Sequence, residues 1–367
     1  MKKILPIFVC AFILQGCASE TDNLPGFENE IFREFVQNGS SFRILDLEDL
    51  VIQRYEINES NKIDIDPITT GISNPRGIEK TDSVLVVINS PARSPAIAFY
   101  ELNGELINSV RPEGEGPGEF RYINAIRRNQ NTVVLFDSRL AKMAEISSDL
   151  QIMNDRYDPL LTSSDRHGAH FFSGHLFLRS SSSFSENMMR YAMFEGDSLS
   201  EAGSIMPRLI PHPKQPGPMN NVTITANNKF LYAAYAGLPY IFSFNTDLTY
   251  QSWYLKQQRY KELENPRLIP FVSNEPVNVS SYIGMAYAND NHLFLGVSPG
   301  VLAVFDVSDS SDDPLTPIAL VQFFDEPTEA NPAGRLWIID ITADDDMIYF
   351  VDQFRSYMYK VPLKEIL

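Results

Sequence analysis

From about residue 41 to its end the chain reads as short apolar runs rich in Val, Ile, Tyr and Phe, cut by Gly, Pro, Asn and Asp. That is the punctuation of strands and turns. Ile31 to Val36 has room for one or two helical turns, and the only other helical stretch lies near Gln257 to Leu263. Twenty-four prolines oppose a helical protein, since each removes a backbone donor.

The runs recur with a fixed internal geometry. Val134 to Ile146 and Tyr349 to Val361 each hold an apolar strand, an Asp (Asp137, Asp352), a short turn with Arg, and a second strand. Leu85 to Asn89 followed by Ile97 to Tyr100 repeats this with Asn, and Leu293 to Gly296 followed by Val301 to Phe305 with Gly. These residues leave a strand into a tight turn most easily. Inner strands starting near Arg76, Ile123, Ala169, Val222, Tyr282 and Leu336 complete four-stranded units, each the size of a propeller blade. The expected fold is all-β: a six-bladed β-propeller over residues 41–367. The sixth unit, Leu336 to Val361, lacks an outer strand, so an N-terminal strand from Phe42–Leu47 or Val51–Ile57 should close the ring and leave no open edge. A pair of β-sandwiches uses similar strands but does not explain the recurring hairpin.

The N-terminus follows a different pattern. Lys2 and Lys3 precede an apolar run, Ile4 to Leu14, too short for a transmembrane helix of roughly 20 residues. It ends in Leu14-Gln15-Gly16-Cys17, which resembles the lipobox of bacterial lipoproteins, with Gln15 in place of the usual small residue. The resemblance implies a signal peptide over 1–16, lipidation of Cys17, and a polar tether over 17–40. Cys10 leaves with the signal, so the mature domain has no disulfide and no thiol chemistry. Each buried acyl methylene adds ~0.8 kcal/mol, and two chains hold a protein stably on a membrane.

The chain carries 30 basic and 47 acidic residues; loss of Lys2 and Lys3 with the signal leaves a net charge of −19. Such a surface disfavours nucleic acid as a partner. The lipobox, the six units and the segment Gly114-Glu-Gly-Pro-Gly-Glu-Phe120 together resemble the TolB-like six-bladed β-propeller lipoproteins of Gram-negative bacteria. That resemblance implies the fold and a cell-envelope, outer-membrane location, either periplasmic or surface-exposed. It implies little about activity.

Individual motifs mostly read as structure. Gly114 to Phe120 is not a phosphate loop: no Lys-Ser or Lys-Thr follows, Pro117 lacks an N–H, and Glu113, Glu115 and Glu119 would repel an anion. It reads as a rigid turn anchored by Phe120. His167, His170 and His175 lack the arrangement of a zinc site, and the acidic runs at Asp306–Asp313 and Asp344–Asp346 lack EF-hand spacing. They read as structural histidines and solvated turns, and no metal or other cofactor is expected. No Gly-x-Ser-x-Gly elbow is present.

In a propeller, the turns from second to third strand open on the same face as the connections between blades. The long connections here, Arg111–Arg121, Met206–Asn220 with its five prolines, Lys256–Ser280 and Phe324–Arg335, all belong to that face. Loops on a rigid scaffold carry binding sites. Arg76, Arg121, Arg139, Arg208, His212, Arg335 and Arg355 map to the same face, which points to a carboxylate, a phosphate or an acidic protein segment as ligand. The competing reading pairs these cations with acids such as Glu119 and Asp137. The expected function is thus a non-enzymatic binding or scaffold module of the envelope, its partners a membrane, an envelope protein or a small anion. The alternative is a metal-dependent propeller hydrolase of lactonase or esterase type, for which the inner-strand acids Glu79 and Asp340 are the clearest candidates.

Overall fold

Six sheets follow one another along the chain, and the first strand of each packs against the first strands of its two neighbours, so the ring closes. The structure is a computed structural model, described over residues 24, 27, 29–47, 49–89, 94–163, 167–179, 186–196, 198–209, 221–256, 283–297, 300–307, 315–329, 331–352 and 354–367. The chain first forms helix α1 (Glu30–Gln37), strands β1 (Ser41–Asp46), β2 (Ile52–Glu56) and β3 (Lys62–Asp64), and the short helix α2 (Pro67–Thr70). Blade 1 is β4 (Pro75–Lys80), β5 (Val84–Asn89), β6 (Ile97–Glu101) and β7 (Leu106–Val110). Blade 2 is β8 (Ile123–Asn129), β9 (Thr132–Asp137), β10 (Lys142–Ile146) and β11 (Ile152–Tyr157). Blade 3 is β12 (Ala169–Phe172), β13 (His175–Arg179), β14 (Asn187–Glu195) and β15 (Ser198–Pro207). Blade 4 is β16 (Val222–Ala226), β17 (Leu231–Tyr235), β18 (Tyr240–Phe244) and β19 (Tyr250–Lys256). Blade 5 is β20 (Ile283–Ala288), β21 (His292–Val297), β22 (Val301–Val307) and β23 (Leu315–Phe324). Blade 6 is β24 (Ile338–Ala343), β25 (Met347–Asp352) and β26 (Tyr357–Pro362), completed by β3. The expected six-bladed propeller is the observed fold.

The strand that closes the ring is neither of the expected two. β3 pairs antiparallel with β26, Tyr357 opposite Asp64 and Tyr359 opposite Lys62. The two candidates instead add as fifth, parallel strands: β1 runs beside β19 and β2 beside β23. The N-terminal segment thus forms a strap around the outer rim of blades 4, 5 and 6. Its helix is part of the packed structure, so the expected boundary at residue 41 falls inside it. Asn29 caps α1 by accepting from Phe32 N. Phe32 and Val36, one turn apart and fully buried, enter the core between blades 3 and 4 with Phe177, Met189, Tyr235 and Phe242. Leu24 packs against the same cluster. The expected helix near Gln257–Leu263 lies outside the described residues.

The sequence repeat has a physical cause. The Asp137 carboxylate is fully buried and accepts four backbone N–H groups: Arg121 and Tyr122 before the inner strand, Arg139 and Leu140 in the turn. Asp352 does the same work in blade 6, accepting from Trp337 N and Phe354 N, and Asn89 accepts from Ala96 N in blade 1. In blade 5 the equivalent position is Val297, opposite Ile283, one residue beyond the Gly296 expected there.

The Gly-rich segment forms the expected turn, anchored by Phe120. Phe120 is fully buried and its N–H donates to Pro112 O, while Gly114 N donates back to Phe120 O. Gly118 has φ +73° and its N–H donates to Asp155. Beneath the loop lies Lys142, fully buried, whose Nζ reaches Gly116 O at 3.1 Å, Glu119 O at 2.6 Å and the Asp155 carboxylate at 2.5 Å. Its ammonium also lies over the Phe120 ring, 4.7 Å from the centroid.

Candidate functional site

Each inner strand contributes one side chain at a common level of the channel. The registers against the second strands make Glu79, Arg127, His170, Thr225, Tyr287 and Thr342 equivalent, one per blade, and all six are polar. Apolar residues would be expected at such depth, so the ring needs internal partners. Glu79 is 2% exposed; its carboxylate accepts from Lys80 N, Arg128 N and Thr342 Oγ1, each at 3.1 Å. Thr342 Oγ1 also lies 3.2 Å from Tyr287 Oη, which donates to Ala343 O. Asp340, buried one step toward the loop-bearing face, accepts from Ile78 N and lies 3.6 Å from Arg127 Nη1. Arg127 donates to Ala169 O and Ile126 O, and His170 Nδ1 donates to Phe171 O.

The charges in this ring are strongly perturbed. Burial pushes the Glu79 carboxyl up to about 7, against the pull of Arg127. Burial, helped by the Arg127 charge, lowers His170 to about 4 and keeps it neutral. Burial raises the Tyr287 phenol well above its usual range. Glu79 and Asp340, the acids on which a channel metal would depend, are thus already held by donors. Among the described residues no group of three His, Cys, Asp or Glu side chains converges as metal ligands do. His170 and His175 do not converge either: His175 Nδ1 bonds Ser173 O and its ring packs against Tyr191.

The base of the ring, opposite the long connections, is laced by polar and charged side chains. Asn228 donates to Asp290, Asn291 to Asp345, Lys80 lies 3.2 Å from Asp344, and Arg128 lies 2.8 Å from Asp82. These links join blades 4, 5, 6, 1 and 2 in turn. Asp344 and Asp345 therefore tie blades together, beyond the solvated turn expected of them.

The mouth, on the face of the long connections, holds the expected cationic residues in unlike settings. The exposed Arg121 guanidinium pairs with Glu115, and Asp137 takes only the Arg121 backbone N–H. The Glu119 carboxylate instead caps Gly116 N. Arg355 is buried away from the channel, 3.4 Å from Asp325, and donates to Glu326 O; Lys62 and Tyr359 hold the same Asp325. Arg335 lies against Gly300 and Phe324 on the blade 5 side, where Arg54 covers the same ring at 3.6 Å. Burial, with Arg54 adding repulsion, lowers its pKa. Arg208 N donates to Glu186 O beside blade 3. His212 and Cys17 lie outside the described residues, as do most of the connections 206–220 and 256–280.

Arg76 and Arg139 stand at the mouth proper. Arg76 occupies a β-bulge at the mouth end of β4, and its buried Nε has no partner among the described residues. Arg139, exposed in the turn after Asp137, carries its guanidinium 4.5 Å from the Tyr122 ring centroid, with no ion pair among the described residues. At the equivalent place on blade 6, Trp337 and the half-exposed Phe354 form an edge-to-face pair at 5.8 Å. The mouth over blades 6, 1 and 2 thus carries two cations, Arg76 and Arg139, the latter against Tyr122, together with the Trp337–Phe354 pair.

No protein-family model and no curated protein matches the chain. Among solved structures, a putative exported protein from Bacteroides fragilis is similar at 14% identity and a TM-score of 0.50, over 82% of this chain and 88% of that one. A protein of unknown function from Bacteroides thetaiotaomicron is similar at 9% identity and 0.49, over 83% and 72%. A virginiamycin B lyase from Staphylococcus aureus is similar at 13% identity and 0.47, over 82% and 98%. At such identities the first likeness supports the shared fold and nothing about activity.

Proposed function

We propose that this chain is an exported lipoprotein of the cell envelope, anchored through Cys17 and akin to the TolB-like propellers. In this reading it works as a non-enzymatic binding module. Its ligand carries a carboxylate or phosphate, free or on an acidic protein segment, and sits on the mouth over blades 6, 1 and 2. The observation that carries the reading is that, of the arginines expected on this face, Arg121 and Arg355 are taken up by acids while Arg76 and Arg139 meet none among the described residues. A guanidinium with free donors beside aromatic rings suits a planar anion. Arg76 and Arg139 would hold the charge, and Tyr122, Trp337 and Phe354 the apolar flank.

The test is a thermal-shift panel of citrate, phosphate and acidic peptides against chloride at matched ionic strength. A member of the panel should raise the melting temperature of the wild-type mature protein and leave an Arg76→Ala/Arg139→Ala variant unmoved. Equal shifts in both proteins, or none from any member, would refute the assignment.

A further inference from the structure

A groove of about 390 Å³ opens on the outer rim between blades 3 and 4; Phe35, Ile205 and Leu248 give it an apolar wall, and Glu34, Asn38 and Asn187 a polar one. It lies beside α1, the first described helix. Two large apolar side chains stand exposed on the same two blades: Ile44 on β1, 45% exposed, and Met193 on β14, 44% exposed. Blade 4 faces blade 1 across the ring and blade 3 faces blade 6, so this rim is opposite the proposed mouth sector.

We propose that the rim of blades 3 and 4 is the surface that rests on a lipid membrane. This rests on the anchored reading given above. From Cys17 to Leu24 is seven residues, a reach of about 25 Å at full extension. A folded domain of this length is about 50 Å across. A tether half that long cannot let the rim of blades 6 and 1 reach the bilayer, whereas the rim of blades 3 and 4 starts beside it. The area of one open groove is too small to hold the protein there alone; the anchor supplies residence and the rim sets orientation. The consequence is that Arg76, Arg139 and their aromatic flank are presented away from the lipid.

Cysteine labelling tests this cleanly, because the mature chain has no cysteine other than the one carrying lipid. Ile44→Cys and Met193→Cys report the rim, Ile68→Cys and Ile107→Cys, by blade 1, the opposite side, and Phe354→Cys the mouth; all five sites are more than one-third exposed. The full lipidated protein is reconstituted in vesicles of three parts phosphatidylcholine to one part phosphatidylglycerol and treated with a water-soluble maleimide. The expected result is several-fold slower labelling at residues 44 and 193 than in detergent, with residues 68, 107 and 354 unchanged. Protection at 354 instead would mean the mouth lies on the membrane, and uniform labelling would mean no preferred face; either overturns the orientation while leaving the anchor intact. Intact mass of the purified protein reads the anchor separately, and a mature chain without lipid would overturn both.

Discussion

Replacing Lys142 with Met probes the clamp that fixes the Gly-rich turn to blade 2. All three Nζ donors are used, on two carbonyls and one carboxylate, and the side chain is fully buried. Methionine fills much of the same space but leaves Asp155 as an uncompensated, mostly buried charge and orphans Gly116 O and Glu119 O. Breaking a buried pair from one side costs about 3–5 kcal/mol. Total stability of domains is about 5–15 kcal/mol, so the loss is a large fraction. Urea unfolding of the mature protein should show a lower midpoint at unchanged slope. A Lys142→Met/Asp155→Asn variant removes the stranded charge as well and should recover about 1–2 kcal/mol of the loss. Local hydrogen exchange at residues 114–120 should rise in the single variant before global unfolding. A loss below about 1 kcal/mol, or strict additivity of the two substitutions, would show that water replaces the clamp at no cost and would refute the reasoning.

Two further predictions follow from the packing and the channel. Phe32→Ala empties a fully buried ring site between blades 3 and 4 and should destabilise the whole propeller by about 3–5 kcal/mol in a single transition; release of residues 27–40 to protease with the urea midpoint unchanged would show that α1 is not part of the core. In the channel, Glu79 is raised from 4.5 to about 7, so its stabilising proton is present below pH 4.5 and lost as pH rises through 7, worth about 3 kcal/mol. His170 is lowered from 6.5 to about 4, so its contribution is present above pH 6.5 and lost as pH falls through 4, of similar size and opposite slope. The two should nearly cancel in the wild type. Glu79→Gln should expose a stability that falls by about 3 kcal/mol from pH 6.5 to 4, and His170→Phe one that falls from pH 4.5 to 7; parallel curves for all three proteins would contradict the burial of these charges.

The blades were legible because their turns are chemical. Asp137, Asp352 and Asn89 accept N–H groups that a tight turn leaves over, and a residue chosen for that purpose recurs in the sequence. Where Val297 takes the position, the repeat slips by one residue. The closing strand was not legible: β3 is only three residues, Lys62–Asp64, too short for alternation to register. Segments 41–46 and 52–56 do read as strands, but periodicity reports the strand and not its partner. The packing of α1 was hidden for a similar reason, since Phe32 and Val36 predict a helical face and not the crevice it fills. The channel ring needed registers: Glu79, Arg127 and Tyr287 lie on different strands, and only the pairing brings them level. The acids Glu79 and Asp340 were visible as candidates, whereas the donors that occupy them were not. On the mouth, arginine positions were readable from topology, but which of them find acids depends on side-chain paths that spacing does not encode.

Trp337 offers the most direct test that the mouth over blades 6, 1 and 2 is the binding site. The chain has two tryptophans, and Trp253 is fully buried in the core of blade 4, so its emission is a constant background. The measurement is a fluorescence titration of the mature protein with the anion that gives the largest thermal shift. The account predicts a saturable change in emission that disappears in Arg76→Ala/Arg139→Ala and in Trp337→Phe. Saturable binding by calorimetry with no change at Trp337, or an unchanged titration in the double arginine variant, would place the ligand elsewhere and contradict it.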